Sequence, residues 1–274
     1  MEWMKLLNGS ELAGFIKERQ AHQVRGLRQA WQVQPKLAII ITVDHPAITT
    51  YVRMKQRYGA DILVDVEIHH VKQSEAKQLI ERLNADPGVH GIIVQLPLED
   101  PAYTDEIVNL VAPEKDVDAL GRDATLEPAT PLAIMWLLAG YNIELAGRKI
   151  VLVGRGKLVG QPLEHIWKTS GYDVAVVDSK TADKAAVISG ADVLVTATGQ
   201  PGLVTSRMIK QGAVVVDAGV AGEQGKTVGD LAPDVYERDD LTITPTKGGV
   251  GPLTICALFE NVIRAARNTV QETR

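Results

Sequence analysis

The chain has 274 residues, enough for two domains of ordinary size, and its 45% hydrophobic and 23% charged residues are those of a globular protein rather than a disordered one. With 34 acidic against 29 basic residues the net charge is −5, which argues against the concentrated positive field that a nucleic-acid backbone demands. No apolar run reaches the length of a membrane span, the first residues do not resemble a signal peptide, and the single cysteine, Cys256, excludes an intrachain disulfide and a multi-thiolate metal site. The expectation is a cytoplasmic, metal-free protein that handles a small molecule and contacts neither nucleic acid nor membrane.

In chain order, the spacing predicts a helix over 11–27 with Leu12, Phe15, Ile16 and Val24 on its apolar side, then a buried strand over 36–43. A helix over 51–59 leads into a strand over 60–69 rich in Val and Ile. The next helix, 74–84, has Ser74 as its N-cap and turns Leu79, Ile80 and Leu83 inward. Residues 91–96 read as a buried strand stopped by Pro97, 105–111 as a short helix, and Pro113-Glu114-Lys115-Asp116 as a polar loop.

The second half starts afresh with a helix over 131–139 and a continuous apolar strand over 148–154 that ends in glycine. Four more strands follow over 173–178, 191–196, 213–218 and 241–244, with an exposed turn at 223–229. A helix over 253–267 has Cys256, Phe259, Ile263 and Ala266 on its apolar face, so an inert buried thiol is expected. Strands alternating with helices define an α/β fold with mainly parallel sheets. The expected architecture is two α/β domains with a cleft between them: residues 1–127 plus 253–274, and a Rossmann-type dinucleotide-binding domain over 128–252.

The sharpest local signal is Gly154-Arg155-Gly156-Lys157-Leu158-Val159-Gly160, where a buried strand runs into a glycine turn and a helix. The first glycine permits the tight turn, the second lets a ligand approach the backbone, and the third lets helix and strand pack closely. The helix N-terminus then favours a pyrophosphate. Asp178, at the end of the next strand, stands where an acid grips the ribose 2′-hydroxyl of NAD. Arg155 and Lys180 are instead able to pair with a 2′-phosphate, so spacing alone leaves the choice open.

In the first half, Tyr51 and Lys55 share a helix face, and the residues alone favour an exposed lysine near a core tyrosine over an aromatic plate beside an amine whose pKa a cleft would lower. Gln95 interrupts the end of a buried strand, where ligands of open sheets bind and an amide needs partners. Asp116 and Asp118 flank Val117 in a loop and both read equally well as solvated. His69 and His70 face opposite sides of a strand end and lack metal-ligand spacing.

Together these segments resemble the bifunctional methylenetetrahydrofolate dehydrogenase/methenyltetrahydrofolate cyclohydrolase (FolD) family. The match covers the whole chain: Tyr51-Val52-x-x-Lys55, Gly91-Ile92-Ile93-Val94-Gln95-Leu96-Pro97-Leu98, Lys115-Asp116-Val117-Asp118, Pro128-Ala129-Thr130-Pro131, Gly154-Arg155-x-x-x-Val159-Gly160-x-Pro162, Ser179-Lys180-Thr181 and Gly248-Gly249-Val250-Gly251-Pro252-Leu253-Thr254. The resemblance implies NADP-dependent oxidation of 5,10-methylenetetrahydrofolate, then hydrolysis to 10-formyltetrahydrofolate, by a cytoplasmic homodimer. It implies Lys55, Gln95 and Asp118 as catalytic residues, with Tyr51, Gly249 and Pro252 completing the folate site. For the cofactor it implies Gly154, Arg155, Gly156, Val159, Gly160, Ser179, Thr198 and Gly219, with Arg155 and Ser179 on the 2′-phosphate. Departures from the family pattern include Gly156 in place of serine, Asp178 in place of histidine, and Thr246-Lys247 in the usual Pro-Val-Pro-Gly-Gly stretch. Two other readings follow from them: a dehydrogenase with weak cyclohydrolase activity or NAD preference, and a folate- or nucleotide-binding regulator without turnover.

Overall fold

The computed structural model describes residues 5–223 and 226–271. Its first half contains β1 (Lys5–Leu6), α1 (Gly9–Ala30), β2 (Lys36–Ile41), α2 (Pro46–Ile62), β3 (Asp65–His70), α3 (Gln73–Ala85), β4 (Gly91–Val94) and α4 (Thr104–Val108). There follow α5 (Ala129–Gly140), β5 (Ile150–Val153), α6 (Gly160–Thr169), β6 (Val174–Val177), α7 (Lys184–Ile188), β7 (Val193–Thr196) and β8 (Val214–Asp217). The last elements are β9 (Ala221–Glu223), β10 (Lys226–Val228), β11 (Thr242–Ile243) and α8 (Val250–Gln271). Two compact units divide the chain. One takes Thr130–Thr254 with the described residues up to Ala13, the other Gly14–Ala129 with the described residues from Ile255.

The first of these units holds a six-stranded sheet in the order β1-β11-β8-β7-β5-β6, parallel throughout. The strands are short continuous apolar runs because both faces are covered: Val151, Val153, Leu194, Val215 and Ile243 are all buried in one core. From β5 the chain winds to β6 on one side and returns to β7 on the other, so the strand order reverses between β5 and β7. Ligands of open α/β sheets bind outside the carboxyl ends of the strands at that reversal. The expected division of the chain, with residues 1–127 in the first-half domain, departs from this unit at the N-terminus. Leu7 N donates to Ile243 O at 2.8 Å and Lys5 N to Leu241 O at 3.0 Å, because β11 would otherwise leave a row of unpaired backbone groups. The turn expected over 223–229 falls partly outside the described residues; β9 and β10 on either side of residues 224–225 pair antiparallel.

The other unit is built on the parallel sheet β3-β2-β4, packed through Ala38, Ile40, Ile92 and Val94 against Ala76, Leu79, Ile80 and Leu83 of α3. Three sequence expectations are corrected here. Phe15 is 66% exposed, and the buried stripe of α1 runs instead through Gln20, Ala21, Val24 and Leu27. The misplaced residue is Gln20, a polar side chain that is buried because its amide donates to Cys256 O at 2.8 Å and accepts from Tyr58 Oη at 2.7 Å. Residues 60–62 are the last turn of α2 rather than strand, and Leu63 ends that helix in the left-handed region with φ of 66°. Ser74 is not a cap: α3 begins one residue earlier, and Glu75 Oε2 accepts from Lys72 N at 3.2 Å, half of a capping box.

Candidate functional site

Lys55 sits on α2 one turn beyond Tyr51, which is exposed. Its Nζ donates to Gln95 Oε1 at 2.9 Å, and Gln95 Nε2 donates to Leu96 O at 3.1 Å, which fixes the amide. Gln95 N continues the β4–β2 ladder by donating to Ile40 O at 2.9 Å, so this side chain leaves the sheet at a carboxyl end. Burial pushes the Lys55 ammonium below its ordinary pKa, and the negative charge of Asp118 opposes that shift. A lysine in this state has a larger neutral fraction near neutral pH than a solvated one, and so can accept a proton.

The loop that carries Asp118 is held by its neighbours, not by solvent. Lys115 Nζ donates to the carbonyls of Leu83, Asn84 and Asp86 at 3.1, 2.8 and 2.7 Å, satisfying the C-terminal end of α3. Val117 is fully buried, and its carbonyl accepts from Asn261 Nδ2 at 2.9 Å. A solvated Asp116 does not survive the structure: it is buried, and its carboxylate accepts from Gly121 N at 2.7 Å. Burial raises its pKa, and those backbone donors pull it back. With Lys115, Asp116 and Val117 committed to the fold, Asp118 is the acid of this motif left to face Lys55. His69 and His70 each lie beside a carboxylate, Glu67 at 3.8 Å and Asp44 at 3.7 Å. Cys256 is a buried thiol whose pKa burial raises.

In the other unit the glycine turn follows β5 at the reversal point. Gly154 has φ of +107°, and a Cβ there would lie 2.5 Å from Ala197 O, so both backbone and space demand glycine. A Cβ on Gly156 would meet nothing within 4 Å, so the space above the second glycine is open. Val159 precedes α6 without a side-chain cap; Gln161 N donates to Gly156 O at 3.0 Å and Pro162 has no N–H, so in the first turn it is the Gly160 amide that the helix start offers to an anion. Arg155 is exposed, and its Nε donates to Glu164 Oε2 at 2.9 Å. Ser179 is exposed beside Asp178. The Asp178 carboxylate is tied into its own turn, accepting from Lys180 N at 2.8 Å and Thr181 Oγ1 at 3.3 Å, and these donors hold its pKa down.

Thr198 and Gly219, at the ends of β7 and β8, are held by two aspartates that the sequence reading did not single out. Asp230 is 0% exposed and accepts from Thr198 N at 2.6 Å and Gln200 N at 2.8 Å. Asp217 accepts from Gly219 N at 2.9 Å, Asp230 N at 3.1 Å and Thr196 Oγ1 at 2.9 Å, yet burial still raises its pKa. Two glycines make room for them: a Cβ on Gly219 would lie 2.2 Å from Asp230, and one on Gly229 would lie 2.0 Å from Asp217. The available signal was an acid ending the run Val214-Val215-Val216-Asp217, where a buried carboxylate must find donors. Gly248 and Gly249 give room to the chain itself. A Cβ on Gly248 would lie 2.6 Å from Ser10 Oγ, and Gly249 O already lies where a Cβ on Gly9 would be. Pro252 is partly buried in the first turn of α8.

A parallel sheet with a glycine turn at its reversal point, beside a unit that carries a desolvated lysine bonded to an amide, defines a two-unit α/β protein of the dinucleotide-binding class. Comparison with known proteins makes this more specific. Residues 7–118 match the model for the tetrahydrofolate dehydrogenase/cyclohydrolase catalytic domain, and residues 128–270 match the NAD(P)-binding domain of the same family. The "Bifunctional protein FolD" of Exiguobacterium sibiricum is 39% identical over 277 residues, covering 96% of this chain and 99% of that one. A crystal structure of the bifunctional FolD enzyme from Campylobacter jejuni superposes with a TM-score of 0.91 at 35% identity, covering 97% and 99% of the two chains. The Trypanosoma brucei FolD enzyme, solved with NADP cofactor and an inhibitor, gives a TM-score of 0.92 at 30% identity over 99% and 100%. The chain belongs to the tetrahydrofolate dehydrogenase/cyclohydrolase family. Among the described residues, no group of His, Cys, Asp and Glu side chains could hold a metal ion, and no helix is long and apolar enough to cross a membrane.

Proposed function

We propose that this protein oxidises 5,10-methylenetetrahydrofolate with NADP and hydrolyses the resulting methenyl compound to 10-formyltetrahydrofolate. The observation that carries the reading is the 2.9 Å hydrogen bond between Lys55 and Gln95, with the lysine desolvated and Asp118 the charge that acts on it. When bound, NADP supplies the acceptor for the hydride. Gly154, Gly156, Val159 and Gly160 would hold its pyrophosphate at an uncapped helix start with open space above Gly156, Arg155 and Ser179 would take the 2′-phosphate, and Thr198 and Gly219 would complete the nucleotide site. Oxidation needs positioning more than acid or base, and Tyr51 serves it by stacking on the folate rings. Asp118 accepts from the donor groups of the pterin.

Hydrolysis is where Lys55 acts. Water adds to the methenyl carbon, and the neutral amine of Lys55, held in place by Gln95 Oε1, takes the proton that water sheds; the hydroxyl proton of the adduct then passes to N5 as the C–N5 bond breaks, leaving the formyl group on N10. We assign the folate chemistry to the unit of Gly14–Ala129 and the nucleotide to that of Thr130–Thr254, and we propose a cytoplasmic homodimer. The test is a spectrophotometric assay with methylenetetrahydrofolate in parallel with NADP and NAD, followed by Lys55→Met. Faster reduction of NADP and loss of methenyl hydrolysis in the variant are expected. Faster reduction of NAD would give the cofactor choice to Asp178, and reduction of neither would leave a binding protein.

A further inference from the structure

Arg155 is the exposed cation of the glycine turn, and a long flexible side chain in water is a poor anion receptor until something fixes it. Glu164, two turns of chain further into α6, is almost entirely enclosed, with 12% of its side chain exposed. Its Oε2 accepts from Arg155 Nε at 2.9 Å, and its Oε1 accepts from Lys168 Nζ at 2.8 Å. Both oxygens are thus used, one on each cation. The contact to Arg155 is made at the inner nitrogen alone, and the two terminal nitrogens of the guanidinium have no hydrogen-bond partner among the described residues. Lys168 offsets the charge of the carboxylate, so Arg155, Glu164 and Lys168 together still carry one positive charge.

We infer that Glu164 is a positioning residue that aims the terminal nitrogens of Arg155 at the 2′-phosphate of NADP, and so helps to set the preference for NADP over NAD. The inference rests on the assignment of Arg155 to that phosphate under the proposed function. A carboxylate on the inner nitrogen leaves the outer fork of the guanidinium, which suits bidentate contact with a phosphate.

The test is direct titration of NADPH and NADH fluorescence with the full chain, so that binding is read without turnover, alongside KM for NADP and NAD. Glu164→Ala is expected to weaken NADPH binding about tenfold and NADH binding less than twofold, since only the phosphate contact loses its ordering. Glu164→Gln keeps an acceptor for Arg155 Nε at unchanged volume and is expected to stay within threefold of the parent protein. In an Arg155→Ala background, Glu164→Ala is expected to add nothing. Equal weakening of both nucleotides, or the same loss without Arg155, would show a structural role only. Tighter NADPH binding in Glu164→Ala would show that the carboxylate competes with the phosphate. Preferential NADPH binding without reduction of NADP would overturn the proposed function while leaving this inference standing.

Discussion

Replacing Gln95 with leucine removes the acceptor of Lys55 at nearly constant volume. Both forms of the amine can donate to Gln95 Oε1 at 2.9 Å, but a charged donor gains about 1.5–3 kcal/mol where a neutral one gains about 0.5–1.5. The difference, about 1 kcal/mol, favours the ammonium in the parent protein and corresponds to a little under one pKa unit. Its loss shifts Lys55 further down, in the direction burial already drives it. If hydrolysis uses the neutral amine, the rising limb of its pH–rate profile moves to lower pH by somewhat less than one unit. The plateau falls several-fold, because a weaker base drives proton transfer less. The assay is the decay of methenyltetrahydrofolate absorbance measured across the pH range. Gln95→Glu supplies the opposite sign, since a carboxylate in the same place favours the ammonium and moves the limb upward by about one unit or more. A limb that stays in place in both variants, whatever happens to the plateau, would refute a titrating Lys55 coupled to Gln95.

Three further outcomes follow from the geometry. Gly156→Ser is expected to leave stability within about 0.5 kcal/mol by thermal unfolding, because its Cβ enters open space, whereas Gly154→Ser is expected to cost several kcal/mol through its φ of +107° and the 2.5 Å approach to Ala197 O. Gly229→Ala drives a methyl to 2.0 Å from Asp217, and destabilisation of about 1–3 kcal/mol is expected as a lower Tm; an unchanged Tm would mean that the Asp217 network yields freely. Asp240, held to a pKa of about 2 first by its hydrogen bond from Arg238, gives stability that is present above about pH 4 and lost as pH falls toward 2. In Asp240→Asn, which leaves the bonds of Arg238 to Ser206 O and Ile209 O in place, denaturant titration is expected to show a deficit of about 1 kcal/mol at pH 6, after allowing for solvent screening, that closes near pH 2.

Much of the fold was legible because its strands are continuous apolar runs. The run over 148–154 appears as β5 at Ile150–Val153, and that over 213–218 as β8 at Val214–Asp217. The glycine turn and Gln95 were legible for a different reason, since a glycine after a strand and an amide ending one are costly without a purpose, whereas Lys55 stood out only through the family resemblance. What escaped depends on residues far apart in sequence. Phe15 satisfies a helical period but faces water, while Gln20 breaks that period and is buried by Tyr58 and Cys256. Asp116 and Asp118 look alike in the sequence, and only the amide of Gly121 distinguishes the structural acid from the half-buried one that acts on Lys55. Glu164 lay on no apolar face and in no motif, and its meaning appears only when Arg155 and Lys168 are seen on its two oxygens. The strand Lys5–Leu6 is too short to show any period at all.

That short strand sets a clock on biogenesis. Thr242, the partner of Lys5 in the sheet, is made about 240 residues after it. At roughly 5–20 residues per second, the interval is between about ten and fifty seconds. Once residue 129 is made, Gly14–Ala129 is able to begin folding, but its unit still lacks the residues from Ile255, and the six-stranded sheet cannot be closed at its edge before β11 is made. Translational pausing or truncation anywhere before residue 242 would therefore strand the nascent chain with both units incomplete.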